Sequence, residues 1–288
     1  MTIFELVKLA LDDLYDEGCQ QYGGQIDSKI KERMAYLSEC YRHLSLSDRS
    51  PINYKDPATR FAYTYTHVAA HGDYIVQALK ELRANLDEPI FTNSTLRLTC
   101  VGGGPGSDVV GVLKYLADYR KHENVEKLTC YLLDGEQAWA DTWPELGEKI
   151  NSDVSINVHF QKLDVNEPDS WSAQKKFLKA NLFTLSYFVS EVQSLDKGTI
   201  TEFWQKLFDE AISGAIFLYV DNGSHIFNAY FDKQWASRGD MKCLIKTDNV
   251  ARTPSHSEQK SELADYEQKF GKSPKLKATI SLRVLRKN

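Results

Sequence analysis

The stretch Leu98-Thr99-Cys100-Val101-Gly102-Gly103-Gly104-Pro105-Gly106-Ser107-Asp108 holds an apolar strand-like run, four glycines and a helix-starting Ser-Asp pair. Glycines let a backbone turn tightly and approach a ligand closely, while the start of the following helix offers unpaired N–H groups. The phosphate-binding versions of such a turn fail here on particular residues. A P-loop closes on Gly-Lys-Ser/Thr, and no lysine follows these glycines. A dinucleotide fingerprint begun at Gly102 places Ser107 where its third glycine belongs. Pro105 also removes an N–H that a pyrophosphate would use. The turn therefore lacks the residues that the phosphate-binding loops need.

Further reactive side chains stand where apolar runs end. Asp134 closes Tyr131-Leu132-Leu133-Asp134, and Asp164 follows Leu163. Ser190 and Glu191 end the segment Ser186-Tyr187-Phe188-Val189-Ser190-Glu191, and His225 lies just beyond Asp221-Asn222-Gly223-Ser224. A carboxylate or an imidazole at such a place can hold a substrate or accept its proton. Earlier in the chain Tyr63, His67, His71 and Tyr74 recur on one helical face. His67 and His71 have the spacing of two zinc ligands, but the glutamate of His-Glu-x-x-His is missing and no metal is expected.

Gly102-x-Gly104-Pro105-Gly106 resembles the first motif of class I S-adenosylmethionine-dependent methyltransferases, at the level of the superfamily. The resemblance runs from about Leu96 to Val220 and takes in two later strands. It implies a Rossmann-like α/β fold with a seven-stranded sheet, and S-adenosylmethionine as the cofactor. Gly102, Gly103, Gly104 and Gly106 would pack against its amino-acid end and ribose. Asp134 would receive the ribose hydroxyls and Asp164 the adenine amino group, with Ser190 facing the sulfonium end. The family usually carries an acid two positions before the first glycine. Cys100 stands there, and Asp108 could supply the charge instead. The Asp/Asn-Pro-Pro-Tyr/Phe element of methyltransferases acting on bases or glutamine is absent, and so is the Pro-Cys pair of the covalent cysteine route. Glu191 and His225 are the candidate catalytic groups, while Tyr63, His67 and His71 would line the substrate side. The acceptor expected is a small molecule bearing O or N. RNA methylation is the alternative, and a non-catalytic sensor of the cofactor is a further one.

These residues must be positioned by particular elements. Through about residue 90 the chain reads as amphipathic helices, with Asp56-Pro57 as a cap and first helical position. From Leu96 onward short apolar runs alternate with helical stretches: Leu96–Val101, Leu128–Leu133, Ile156–Leu163, Leu182–Val189 and Ala215–Val220. That alternation predicts a parallel sheet covered on both faces. Met241–Lys246 and Lys277–Leu285 read as two more strands, the second flanked by basic residues as suits a sheet edge. The domains expected are a helical cap over 1–90 and a catalytic domain over 91–288, with an insertion at about 247–275.

With 288 residues, 42% hydrophobic and 26% charged, the composition is that of a globular chain with a core. A net charge of −5 argues against sequence-independent nucleic-acid binding, yet leaves room for a local basic groove. Five cysteines without a CxxC pair suit a reducing compartment, the cytoplasm or, as an alternative, the nucleus. No apolar run is long enough to span a membrane, so no membrane partner is expected.

Overall fold

The structure, a computed structural model, describes residues 1–172 and 175–288. Helices α1 (Ile3–Tyr22) and α2 (Ile26–Arg42) come first, followed by α3 (Pro57–Tyr63), a π turn (Thr64–Val68) and α4 (Ala69–Ala84). Five strands then alternate with helices: β1 (Thr95–Val101), α5 (Ser107–Asp118), β2 (Lys127–Asp134), α6 (Trp139–Gly147), β3 (Ser155–Lys162), α7 (Pro168–Ser172), β4 (Leu182–Ser186), α8 (Val189–Val192), α9 (Thr199–Glu210) and β5 (Ile216–Asn222). The chain continues through α10 (His225–Trp235), β6 (Met241–Arg252), α11 (Ala264–Phe270) and β7 (Ala278–Lys287).

The seven strands form one sheet in the order β3-β2-β1-β4-β5-β7-β6. β1 to β5 are parallel, and β7 runs antiparallel between β5 and β6. This is the seven-stranded sheet with helices on both faces that the sequence predicts. Strand alternation fills the two faces. Phe183, Leu185, Phe217 and Tyr219 pack with α9 and α10 on one side, around the buried Trp204. Leu98, Cys100, Leu132, Leu218 and Val220 pack on the other side with α4 and α5. α4 and α5 approach closely because glycines face each other: a Cβ on Gly111 would sit 2.4 Å from the Gly72 carbonyl oxygen.

α1 opens on a capping box in which Thr2 and Glu5 satisfy each other's backbone N–H. Its apolar face packs with α2, α3 and α6 in a third cluster. Tyr266 and Phe270 of α11 join that cluster through Phe61 and Tyr65. The expected insertion is thus split in two. β6 extends to Arg252, and the chain from Thr253 to Lys275 folds back onto the N-terminal helices.

Two local expectations are corrected. β4 stops at Ser186 rather than Val189, because Tyr187 takes φ 53° and turns the chain into α8. β7 is no edge strand, since β5 and β6 pair on either side of it, and two of its basic residues, Arg283 and Lys287, have partners within the protein. Arg283 is fully buried, hydrogen-bonded to Asp232 and paired with Asp248.

Candidate active site

All the strand ends singled out in the sequence meet at the carboxyl edge of the parallel sheet, where open α/β folds bind ligands. The turn after β1 takes a shape that side chains would spoil. Gly102, Gly104 and Gly106 have φ of 65°, 49° and 93°. A Cβ on Gly102 would lie 2.4 Å from the Phe188 ring, and one on Gly106 would lie 2.4 Å from Trp143. Gly103 donates its N–H to the Leu133 carbonyl at 2.9 Å, locking the turn to β2. Gly104 donates to Asp134 Oδ2 at 2.9 Å, and Glu136 donates to Asp134 Oδ1 at 2.9 Å. A phosphate would compete with Asp134 for that Gly104 N–H, so the absence of a phosphate-binding pattern in the sequence has a structural counterpart.

A first cavity of about 260 Å³ opens over this turn. Gly102, Gly104, Asp134, Asp164, Tyr63 and Glu191 all line it, six of the residues nominated from sequence. Trp139 forms part of its wall, packed edge-on to Tyr63 at 5.4 Å and tilted against Tyr54 at 5.1 Å. The link between α2 and α3 closes one side with Arg49, Ile52 and Tyr54. Arg49 is tied down by donating to the Leu44 carbonyl, Ser194 Oγ and the Glu191 carbonyl. Tyr54 and Tyr41 both reach Glu191 Oε1, at 3.2 and 3.4 Å, with their hydroxyls 2.7 Å apart.

Four carboxylates line this cavity (Asp134, Glu136, Asp164, Glu191) against one cation, Arg49. Burial pushes the Asp134 carboxyl up to about 6, against the pull of the Glu136 and Gly104 N–H groups. Burial, reinforced by the Asp134 charge, pushes Glu191 up to about 7. Asp108 is also raised, to about 6, by burial, and its Oδ2 has no hydrogen-bond partner.

A second cavity of about 350 Å³ adjoins the first, and Tyr63 and Tyr187 line both. His67 and His71 line the second only, their rings 5.2 Å apart. Tyr63 and His67 keep one face across the π turn, with their rings 5.2 Å apart. Tyr74 falls outside both linings and packs in the core. His71 stacks on Tyr187 at 3.9 Å with planes 9° apart. Burial drives the His67 pKa down to about 3 and lowers His71 as well, helped by nearby lysines, so both rings are neutral at working pH. No third ligand joins them, and among the described residues no metal-binding cluster forms.

Other nominated residues lie elsewhere. Gly103, Gly106 and Asp108 support the turn from outside the cavity lining. Ser190 is buried behind Tyr187: its N–H donates to Asp221 Oδ2, and its hydroxyl donates to the Tyr187 carbonyl. It shapes the turn and does not face the cavity. His225 is exposed at the first position of α10 and lines neither cavity. Lys272 and Lys275, among the basic residues that precede β7, line the second cavity. Tyr187 was the most readable of the unnominated residues, because it directly follows β4; its positive φ costs about 1–3 kcal/mol. Arg49 and Tyr54 lie in a loop that reads as punctuation between helices.

The profile of a family described as "Putative SAM-dependent methyltransferase" matches residues 57–253, more than half of the chain. The chain belongs to this family. It is a methyltransferase by family, and α1, α2, α11 and β7 lie outside the matched segment. Among curated proteins nothing matches. Solved structures similar to this methyltransferase include TehB from Haemophilus influenzae, 13% identical over 79% of this chain and 66% of that one, with a TM-score of 0.42. The 16S rRNA methylase ArmA is 12% identical over 79% and 87%, TM-score 0.43. Precorrin-6y C5,15-methyltransferase from Geobacter metallireducens is 10% identical over 74% and 88%, TM-score 0.39. At these identities nothing about the methyl acceptor transfers to this chain. No helix among the described residues is long and apolar enough to cross a membrane.

Proposed function

We propose that the first cavity holds S-adenosylmethionine, that the second admits the methyl acceptor, and that the acceptor is a base of an RNA chain. The observation that carries this reading is a contrast in charge across a shared wall. The cavity over the glycine turn is lined by carboxylates, whereas the one beyond Tyr63 and Tyr187 has Arg42, Lys272 and Lys275 and no carboxylate in its lining. The donor set of the first cavity fits a cationic cofactor, and the glycine turn forms a cradle that a side chain would fill. The bound cofactor supplies an electrophilic methyl group on a sulfonium, and the protein's task is to aim an acceptor at it.

The nominated residues in and behind the first cavity each have a part in this reading. Gly102 and Gly104 give backbone contact, Asp134 holds the ribose hydroxyls and Asp164 meets the adenine edge. Glu191 completes the acidic lining near the positive end of the cofactor, and Asp108 adds negative charge from behind the turn. Asp134→Ala is expected to weaken binding of S-adenosylhomocysteine by roughly tenfold or more, as removal of a charge-assisted hydrogen bond does. Calorimetry gives the answer; wild-type affinity in the variant would overturn the ribose assignment.

For the acceptor, aromatic and imidazole rings make the walls of the second cavity (Tyr41, Tyr63, His67, His71, Tyr187). Such walls receive an unstacked base, and cations at the mouth receive its backbone. Arg42 supplies a charge there with a largely exposed side chain. A small planar anion is the competing acceptor. Incubation with labelled methyl donor and total cellular RNA should place label in nuclease-sensitive material. Label confined to low-molecular-weight extract would favour the small molecule, and tight cofactor binding without any transfer would favour a sensor.

A further inference from the structure

We propose that Lys272 and Lys275 form a phosphate subsite inside the acceptor cavity. This deepens the acceptor reading above and rests on it only for the identity of the ligand, since the geometry of the two lysines stands alone. Both line the second cavity, and neither has a carboxylate within ion-pairing distance among the described residues. Lys272 Nζ donates only to the Met34 carbonyl, at 3.3 Å. Lys275 Nζ lies 5.7 Å from the centre of the Tyr187 ring. The backbone of Lys275 is fixed by donation of its N–H to the Thr66 carbonyl in the π turn, at 2.8 Å. Asp221 is the carboxylate whose charge Lys275 feels, but its oxygens already accept the N–H groups of Ser190 and Asn222.

Half-buried charges in folded proteins are ordinarily paired. Two lysines that share one cavity without a carboxylate form a site completed by an anion from outside. Burial depresses both ammonium groups, the cost a bound anion would offset.

A second observation says what else the ligand carries. Among the described residues, three buried polar atoms around the same cavity have no hydrogen-bond partner: His67 Nδ1, His71 Nε2 and Tyr187 Oη. Their side chains are 8%, 4% and 7% exposed, so solvent does not satisfy them. Unpaired groups of this kind cost free energy until a ligand meets them. Two cations plus three neutral hydrogen-bonding groups on aromatic walls describe a planar, hydrogen-bonding ring joined to an anion. A nucleotide has that chemistry. The phosphate could belong to a free mononucleotide or to the backbone of RNA.

The test is calorimetry on the full chain saturated with S-adenosylhomocysteine. Nucleoside 5′-monophosphates, the matching nucleosides and short single-stranded RNA oligonucleotides are titrated in turn. At least one monophosphate or oligonucleotide should bind tenfold or more tightly than its nucleoside. Lys275→Met should erase that preference while S-adenosylhomocysteine affinity stays unchanged, and Lys275→Arg should restore most of it. Tighter binding of the oligonucleotide assigns the phosphate to RNA, and equal binding assigns it to a free nucleotide; both uphold the subsite. Equal affinity of wild type for nucleotides and nucleosides, or a preference that survives Lys275→Met, would overturn it. The two readings fail separately. RNA labelled by Lys275→Met with an unchanged KM removes the subsite and leaves RNA as acceptor. A phosphate preference in a wild-type protein that labels no RNA removes the acceptor and leaves the subsite.

Discussion

Gly104→Val is expected to reduce S-adenosylhomocysteine affinity by more than a hundredfold while leaving the far-ultraviolet circular dichroism of the chain in place. Three facts combine at this position. Gly104 has φ 49°, a conformation that costs an L-residue about 1–2 kcal/mol and a β-branched residue more. Its Cβ direction points toward Trp139, at 3.8 Å, across space that belongs to the cofactor cavity. Its N–H also holds Asp134, so a shift of the turn moves the carboxylate assigned to the ribose. The strain is small against the stability of a domain, but the added methyl groups point toward the wall of the first cavity, where the cofactor is proposed to sit. Gly103→Val is the informative contrast. A Cβ there would meet Leu132 at 2.4 Å and Cys100 Cβ at 2.8 Å, inside the core, so that variant should lose thermal stability first. Measured melting temperatures and calorimetric Kd values separate the two. Near-normal affinity in Gly104→Val would remove the turn from the cofactor site.

The affinity for S-adenosylmethionine is expected to rise on the order of a hundredfold between about pH 5.5 and 7.5 and then level off, since each group that must ionise contributes up to about tenfold per pH unit. Asp134, near 6, and Glu191, near 7, are both raised by burial in a cavity that holds little positive charge of its own. Below those values the carboxyls are protonated and neutral, and a cationic ligand gains little from them. Above them the carboxylates are charged, the ligand stabilises that form, and binding at intermediate pH releases protons. S-adenosylhomocysteine lacks the sulfonium charge and should show a shallower rise. Asp134→Asn should flatten the lower part of the curve. An affinity independent of pH over this range would contradict the electrostatic account.

The same shifts bear on the free protein. These carboxyls hold protons more tightly folded than unfolded, so their contribution to stability is present below about pH 4 and is lost as pH rises through 6 to 7. Cofactor binding should therefore raise the melting temperature more at pH 7.5 than at pH 5.5.

The legible parts of this protein were those written in local spacing. The glycine turn, Asp134 and Asp164 sit at the ends of apolar runs, and a parallel strand must deliver its end to the same sheet edge as its neighbours. Periodicity likewise placed His67 and His71 on a shared face. What stayed hidden depended on pairing across long separations. The basic residues within β7 read as solvated charge because no acid follows Glu267 in sequence, while Asp232 and Asp248, the partners of Arg283, lie in α10 and β6. Lys275 becomes part of a site only because Thr253–Lys275 returns to the N-terminal helices and the Lys275 N–H meets Thr66. Ser190 misled in the opposite sense: its place after β4 suggested a side chain facing the cofactor, but its N–H and hydroxyl are held behind Tyr187, whose φ is positive.

The position of β7 has a consequence for the order in which this enzyme is built. It is the seventh strand in the chain yet occupies the slot between β5 and β6, so on a ribosome β6 emerges with no neighbour to pair with. Until β7 follows, β5 presents an open edge whose Leu218 and Val220 await Val284 and Leu282. The parallel half of the sheet, with its glycine turn and acidic cavity, can assemble beforehand from β1 to β5. The lysines at 272 and 275 emerge just before β7, so the second cavity, proposed to admit the acceptor, is completed last.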